Sequence, residues 1–297
     1  MPKGLCRLCK SEADLQLSHV VPAFVFRWLR ESSGNGYLRS SHSPNRRVQD
    51  GLQEYWLCSS CEANLGRSEA AFATRLFHPY VAASGDRFRY GEWLLHFCAS
   101  VSWRNLTLQV DHMQGQGYSE QVQIRVSRAE QAWREYLLGD AQHPGAFRQF
   151  ILPLDRIASA HKETPPNANR YLMRAVDVDL CQGGESIFTY TKLGRFVIIG
   201  FVTEPDRSEW IGGMVNANQG VVEPRGYTIP AAFWSYLMER AGMVRRAMSE
   251  VSPRQRDRID QAVRANIDSL VGSDFHAALQ ADVEMFGSAA FTPLAGE

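Results

Sequence analysis

Two Cys-x2-Cys pairs, Cys6 with Cys9 and Cys58 with Cys61, constrain this chain more than any other feature. Each pair bends so that both thiolates face one ion. Four thiolates complete a tetrahedral Zn²⁺ and leave no open position, so the site they predict is structural. A redox Cys-x2-Cys opens a helix inside a βαβ unit. Only the second pair here has a helical stretch after it, and no parallel unit surrounds it. The other cysteines, Cys98 and Cys181, stand alone and read as buried thiols. The first residues, MPKGLCRLCKSEADL, lack the apolar stretch of a signal peptide. The expected setting is therefore cytoplasmic and reducing, where paired cysteines bind metal rather than form disulfides.

The surroundings of the pairs sharpen that reading. Leu15 to Val21 reads as a strand, and Pro22 opens a helix over AFVFRWLRES. The run Ser32-Ser33-Gly34-Asn35-Gly36 ends it. Tyr37 to Ser40 reads as strand, Ser41 to Asn45 as loop, and LQEYWLC after Asp50-Gly51 as strand. A helix follows from Ser59 and stops before His78-Pro79. The first pair thus lies in a turn before a strand, and the second follows a strand and starts a helix, whose N-terminus favours thiolates. Knuckle, hairpin and helix in that order predict a treble clef.

Those pieces resemble the HNH endonuclease family of ββα-metal nucleases, and in particular a divergent bacterial HNH-like subgroup. The matching residues are Cys6-Arg7-Leu8-Cys9, Ser18-His19-Val20-Val21-Pro22 and Leu57-Cys58-Ser59-Ser60-Cys61. They span about a quarter of the chain. The resemblance implies that His19 is the general base that takes a proton from the attacking water. It also implies a catalytic Mg²⁺ or Mn²⁺ beside the structural zinc. Ser18 stands where the family has a metal-holding Asp, and Glu62 stands where Asn or His follows the last cysteine. Glu62 and Glu69 are seven apart and share a helix face, so both are candidate metal ligands, as is Asp50. Each has a simpler reading: a helix cap for Glu62, an ion pair for Glu69, a turn for Ser18. Arg46 and Arg47 are candidate phosphate-binding residues, with a solvated loop as the alternative. Residues 1–80 hold ten Lys plus Arg against seven Asp plus Glu. The preference for Arg suits phosphate forks.

Beyond residue 80 no motif of comparable weight appears. GEWLLHFCASVSWRNLTLQV reads as a helix, with Trp103-Arg104 packing against the zinc module. SRAEQAWREYLLGD reads as a helix from Ser127 to Gly139. KETPPNANR is loop. YLMRAVDVDL, SIFTYTK, RFVIIGFVTE and WIGGMVNANQGVV read as an antiparallel meander. Helices over 229–250, 253–271 and 274–285 close the chain. Asp111-His112 looks like half of a catalytic pair without cysteines around it, and His96 reads as core. Arg245, Arg246, Arg254, Arg256 and Arg258 form a second basic stretch, diluted by Glu250, Asp257 and Asp260, which reads as a solvated helix face. The 32 Lys plus Arg equal the 32 Asp plus Glu, so the whole chain has no general attraction to nucleic acid. The longest apolar run, Phe196 to Val202, is far short of the roughly 20 residues of a membrane helix.

The expected fold is α+β, with an HNH-like treble-clef zinc module over 1–80. A larger domain of helices and antiparallel sheet follows over 81–297. The leading expectation is a metal-dependent nuclease acting on DNA or RNA. The alternatives are an inactive HNH-like module that binds nucleic acid or a protein partner, and a purely structural appendage to a second activity. Self-association or a protein partner would use the C-terminal domain. No membrane is expected among the partners.

Overall fold

The computed structural model describes residues 1–33, 36–82, 87–113 and 118–291. The expected helix stop at Gly34-Asn35 and the 114–117 part of DHMQGQG lie outside them. The chain opens with β1 (Lys3–Leu5) and β2 (Glu12–His19), joined by the turn that carries Cys6 and Cys9. Pro22 leads into α1 (Ala23–Glu31), which buries Phe24, Val25, Phe26, Trp28 and Leu29. β3 (Leu38–Ser40) and β4 (Ser43–Val48) form a two-stranded ribbon. The loop expected over 41–45 therefore narrows to Ser41 and His42. Pro44 is tolerated in β4 because every strand of a two-stranded ribbon is an edge.

β5 (Gln53–Cys58) runs into α2 (Ser59–Phe72), a π-helical turn at Ala73–Phe77 and α3 (His78–Ala82). The helical path does not stop before His78-Pro79 as expected. Pro79 falls in the first turn of α3, where a missing N–H costs little. β6 (Phe88–Gly91), α4 (Trp93–Met113) and α5 (Glu120–Leu138) follow. α5 begins seven residues before the expected Ser127. Ser119 caps it by accepting from the Val122 N–H, and Val122, Val126, Ala129, Trp133 and Leu137 form its buried stripe. Gly139 ends it in the left-handed region, at φ 84°.

β7 (Gln149–Pro153) was not anticipated, and α6 (Ala168–Arg174) replaces the strand expected at YLMR. β8 (Val176–Gly183), β9 (Ser186–Leu193) and β10 (Phe196–Phe201) are the expected meander. Of the last expected strand only β11 (Gln219–Val222) forms, and it pairs with β6. α7 (Ala231–Ser249), α8 (Pro253–Ala265), α9 (Ile267–Leu270) and α10 (Asp274–Phe286) close the fold. The molecule is thus mixed α+β with antiparallel sheets. Among the described residues no helix is long and apolar enough to cross a membrane.

The chain divides into two compact units that do not follow its order. Unit one comprises Met1–Pro22, Gly51–Pro153 and Val176–Thr228, and unit two comprises Ala23–Asp50, Leu154–Ala175 and Ile229–Glu297. The cut expected at residue 80 falls inside unit one, and residues 23–50 of the expected zinc module belong to unit two. Unit one contains the sheet β1-β2-β5, the sheet β7-β10-β9-β8, the β6–β11 ribbon and helices α2 to α5. α4 lies across the four-stranded sheet and is buried along most of its length. Gly200 makes that crossing possible, since a Cβ there would meet Ser102 Oγ at 2.5 Å and Thr189 Oγ1 at 2.7 Å. One core joins Cys6, Cys58, Cys61, Leu57 and Leu65 to Trp103, Leu106, Trp133, Ile187 and Val202.

Both units bury polar ties: in unit one Asn105 of α4 donates to the Asp179 and Tyr190 carbonyls and to Thr191, and unit two has its own set. Asp282, fully buried on α10, accepts from the Asn169 N–H (2.7 Å), the Arg170 N–H (3.2 Å) and the Arg170 side chain at Nε (2.8 Å). Asn167 donates to the Ala241 carbonyl (2.9 Å), fixing α7 beside α6. Arg174 donates to the Leu29 carbonyl (2.9 Å) and stacks over the Trp28 ring at 5.0 Å.

Candidate metal centre

The first cysteine pair sits in a tight knuckle. The Cys6 N–H donates to the Ser11 carbonyl and the Lys10 N–H to the Cys6 carbonyl, both at 2.9 Å. This closure drives Lys10 to φ 60°, the only non-glycine in the left-handed region among the described residues. Left-handed backbone costs an ordinary side chain about 1–2 kcal/mol. The knuckle is held by enough bonds to carry that cost.

The second pair is placed by a bulge. Across β2 and β5, Gln16 pairs with Leu57 but Leu17 with Tyr55, so Trp56 is the extra residue. The carbonyl of Trp56 accepts from the Arg7 N–H in the knuckle (2.7 Å), and the Cys58 N–H reaches Cys6 Sγ at 3.4 Å. Trp56, Leu57 and Cys58 are all buried, which simple strand alternation forbids and the bulge allows. Cys58 then caps α2 and Cys61 lies in its first turn.

The four sulfurs lie within 4.8 Å of one another. Cys9 and Cys58 Sγ are 3.8 Å apart. A tetrahedron with metal–sulfur bonds of about 2.3 Å has edges of about 3.8 Å. Donor type, number and spacing therefore fit a tetrahedral ion such as zinc. Burial opposes ionisation of Cys58, but the Ser60 hydroxyl, 3.1 Å away, and the Cys61 N–H bring its thiol down to about 6. Burial also works against Cys9, yet bonds from the Ser11 N–H and hydroxyl lower it. Burial pushes Cys6 and Cys61 up. In the bare cluster the four thiols thus differ in acidity, with Cys58 and Cys9 shifted down and Cys6 and Cys61 shifted up. A bound cation removes that asymmetry by ionising all four.

The other candidate residues divide. Ser18 and Glu62 are 44 positions apart in sequence, yet the buried Ser18 hydroxyl donates to Glu62 Oε2 at 2.7 Å. Glu62 directly follows the metal-site Cys61. The same bulge makes this possible, because it shifts the inward phase of β2 from Leu15 to Ser18. His19 ends β2, is half-buried, and has Nε2 at 2.7 Å from the Gln53 side-chain amide on β5. As neighbours on a strand, Ser18 and His19 leave it in opposite directions.

Glu69 does not join Glu62. It forms an ion pair with Arg104 of α4, which is 2% exposed, so its carboxylate neutralises a buried cation. Asp50 is exposed and belongs to unit two with Arg46 and Arg47, which are exposed on β4. Arg47 stacks over the Tyr37 ring at 4.3 Å. Asp111 pairs with Arg7 of the knuckle at 2.8 Å, which accounts for the conspicuous Asp111-His112. Arg7 also lies over the Trp56 ring, 5.5 Å from its centre. His96 is held in a polar pocket by Ser68, 2.9 Å from Nδ1. Cys98 is buried and its thiol is pushed up by burial.

Among the described residues, the four cysteines are the only group of three or more His, Cys, Asp or Glu side chains close enough to share an ion. Sequence reasoning missed the bulge at Trp56 and the Ser18–Glu62 bond, neither of which has a local sequence mark; it anticipated an ion pair for Glu69, and the structure names Arg104 as the partner. Compared with known proteins, the chain matches no family model, no curated protein and no solved structure.

Proposed function

We propose that the chain is a metal-dependent HNH-like endonuclease that hydrolyses phosphodiester bonds of DNA or RNA on a zinc-supported treble clef. The knuckle at 6–9, the β2–β5 pairing and the start of α2 around the four cysteines support the treble clef. The observation that carries the catalytic reading is the 2.7 Å contact between Ser18 and Glu62. These are the two positions at which the resemblance puts the metal-holding pair. Glu62 supplies a carboxylate and Ser18 a hydroxyl. A Mg²⁺ or Mn²⁺ ion needs few protein ligands, because it keeps waters and takes substrate phosphate oxygens. Such an ion would neutralise the charge that develops on the phosphate. His19 takes the proton from the attacking water at Nε2 once the Gln53 amide, which donates to that nitrogen at 2.7 Å, yields its place to the water. The four cysteines scaffold the site and take no part in the reaction.

A second reading is an HNH-like module that binds nucleic acid or a protein partner without cutting it. The same contact supports it: Ser18 is 1% exposed, and its proton occupies the carboxylate that a cation would need. Glu69 is committed to Arg104.

Cleavage of plasmid and single-stranded nucleic acid with Mg²⁺ or Mn²⁺ separates the two. Wild type is compared with His19→Ala at matched zinc content. A nuclease loses activity by about 10²–10⁴-fold on removal of its general base. If neither zinc-loaded protein cuts any substrate, the binding reading replaces the catalytic one.

A further inference from the structure

Unit two brings together two basic stretches that lie some two hundred residues apart. Asn45, at the start of the exposed arginines of β4, donates to the Glu250 carbonyl (3.0 Å) and accepts from the Ser252 N–H (2.8 Å). Both partners lie in the turn between α7 and α8. Arg39 on the facing strand β3 donates to Gln255 of α8 at 3.1 Å. The edge of β4, from which Arg47 leaves on the face of Asn45 and Arg46 on the opposite one, therefore lies beside the first turns of α8 with Arg254 and Arg258. None of these four arginines is buried, and α8 has no buried residue at all.

This surface sets like charges against each other without local relief. Arg39 and Arg47 are direct partners across the β3–β4 ribbon, an arrangement that destabilises a hairpin when both are charged. Arg254 and Arg258 are four apart on one helix face, which is also unfavourable. Burial and the Arg47 charge both lower the pKa of Arg39. Among the described residues no ion pair is made by Arg46, Arg254 or Arg258. Of the acids on α8, Asp257 stands one turn from Arg254, yet neither it nor Asp260 forms an ion pair with Arg254 or Arg258 among the described residues. Glu250 is exposed and remains the one acid in the connecting turn. Repulsion of this kind is relieved by an anion that several arginines share. A line of phosphates one strand and one helix wide provides that. The Arg47–Tyr37 stack, with Tyr37 39% exposed, adds a flat face of the kind that bases and sugars cover.

We propose that the β4 edge and the first half of α8 form a phosphate-binding face that grips the backbone of a nucleic acid without reading its sequence. The proposal extends the nucleic-acid reading above to unit two and shares its premise. It does not require cleavage.

The test is equilibrium binding of a fluorescent duplex to the full-length zinc-loaded protein, without Mg²⁺ or Mn²⁺, over a series of salt concentrations. Each phosphate contact contributes about 0.9 to the slope of log affinity against log salt. Arg46→Ala with Arg47→Ala lowers that slope by about two and weakens binding about tenfold or more. Arg254→Ala with Arg258→Ala does the same. Arg125→Ala with Arg128→Ala, exposed on α5 of unit one, leaves both quantities unchanged. Equal losses in all three double variants mean diffuse attraction and overturn the face. So does binding that ignores all four arginines of unit two, even if the protein cuts nucleic acid. The same holds for binding to phosphatidylserine vesicles but not to the duplex. A protein that binds through these arginines and never cuts supports the face while telling against the nuclease reading.

Discussion

Unit one closes distant segments over four sulfurs, a shared apolar core and buried polar groups such as Asn105, whereas unit two, among the described residues, ties its distant segments without such a sulfur cluster. In unit one, residues 1–22 meet the β5–α2 junction at the metal centre, and Trp103 and Trp133 complete the same core. In unit two, Asp282 serves two backbone N–H groups and a guanidinium, and Asn167, Arg174 and Asn45 each anchor a second segment. The charge differs as well. Unit one carries 16 Lys plus Arg against 19 Asp plus Glu, and unit two 16 against 13. The zero net charge of the chain thus conceals units of net −3 and +3. A sheet whose four thiols close around an ion would depend on that ion, while a set of polar ties depends on every partner being present.

The largest effect should follow removal of the ion. Structural zinc is worth about 10–16 kcal/mol of apparent binding energy in small metal-folded domains. Chelation, or Cys61→Ser, should abolish metal stoichiometry and expose the amides of β1, β2 and β5 to hydrogen exchange. The amides of α6 and α10 should stay protected. Cys98→Ala should keep its metal. Retained protection in the metal-free sheet would mean that the apolar core and its buried polar groups hold unit one without the ion, and the contrast between the units would fail.

The next effect belongs to unit two. Asp282→Ala removes the acceptor of Arg170 Nε and of two buried N–H groups, leaving the guanidinium charge with the Pro166 and Ala290 carbonyls. Breaking such a pair from one side costs about 3–5 kcal/mol. Chemical denaturation should report that loss while metal content stays at one ion per chain. A cost below about 1 kcal/mol would show that the clasp is replaceable and that apolar contacts carry unit two as well.

The two units were unequally legible in the sequence. The cysteine pairs announced themselves because few side chains can complete a tetrahedral site, and their spacing survives any fold around them. The helices α4, α7, α8 and α10 were legible as helical stretches, and α5 from Ser127 onward, its true start at the Ser119 cap being missed. The interleaving of the units was not. Nothing local at Pro22 or Asp50 records that 23–50 belongs with residues two hundred positions later. β7 was missed because a five-residue buried strand has no alternation to read. YLMR forms a helix because Tyr171, Leu172 and Met173 are all buried in unit two, so packing overrides a weak strand pattern. In the candidate site, His19 and the cysteines could be named from the chain alone. The fate of the carboxylates could not. Glu62 and Glu69 share a helix face, and only the fold shows that one meets Ser18 and the other a buried arginine.

The smallest effect tests whether the His96 contact in unit one is a neutral tie, unlike the Glu69–Arg104 pair beside it and the Asp282 clasp of unit two. His96 faces the Ser68 hydroxyl at 2.9 Å and the Leu137 carbonyl, which also accepts from Asn64 (2.9 Å). Burial lowers the pKa of His96, and Arg67 and Arg104 add to that by repelling the charged ring. A base with a lowered folded value contributes stability above its unfolded pKa of about 6.5 and loses it as pH falls toward the folded value. Wild type should therefore weaken between pH 7.5 and 5.5 by a component that His96→Gln lacks. At pH 8 the variant should be less stable by about 1 kcal/mol, the worth of a lost hydrogen bond. Its deficit should narrow as the solution is acidified, because only wild type must then bury a charge or break the contact. Denaturation of both proteins with saturating zinc keeps the thiols from contributing to the difference. Parallel pH profiles would show that His96 accepts its proton without cost in the folded state. The contact would then tolerate charge as the Glu69–Arg104 pair and the Asp282 clasp do.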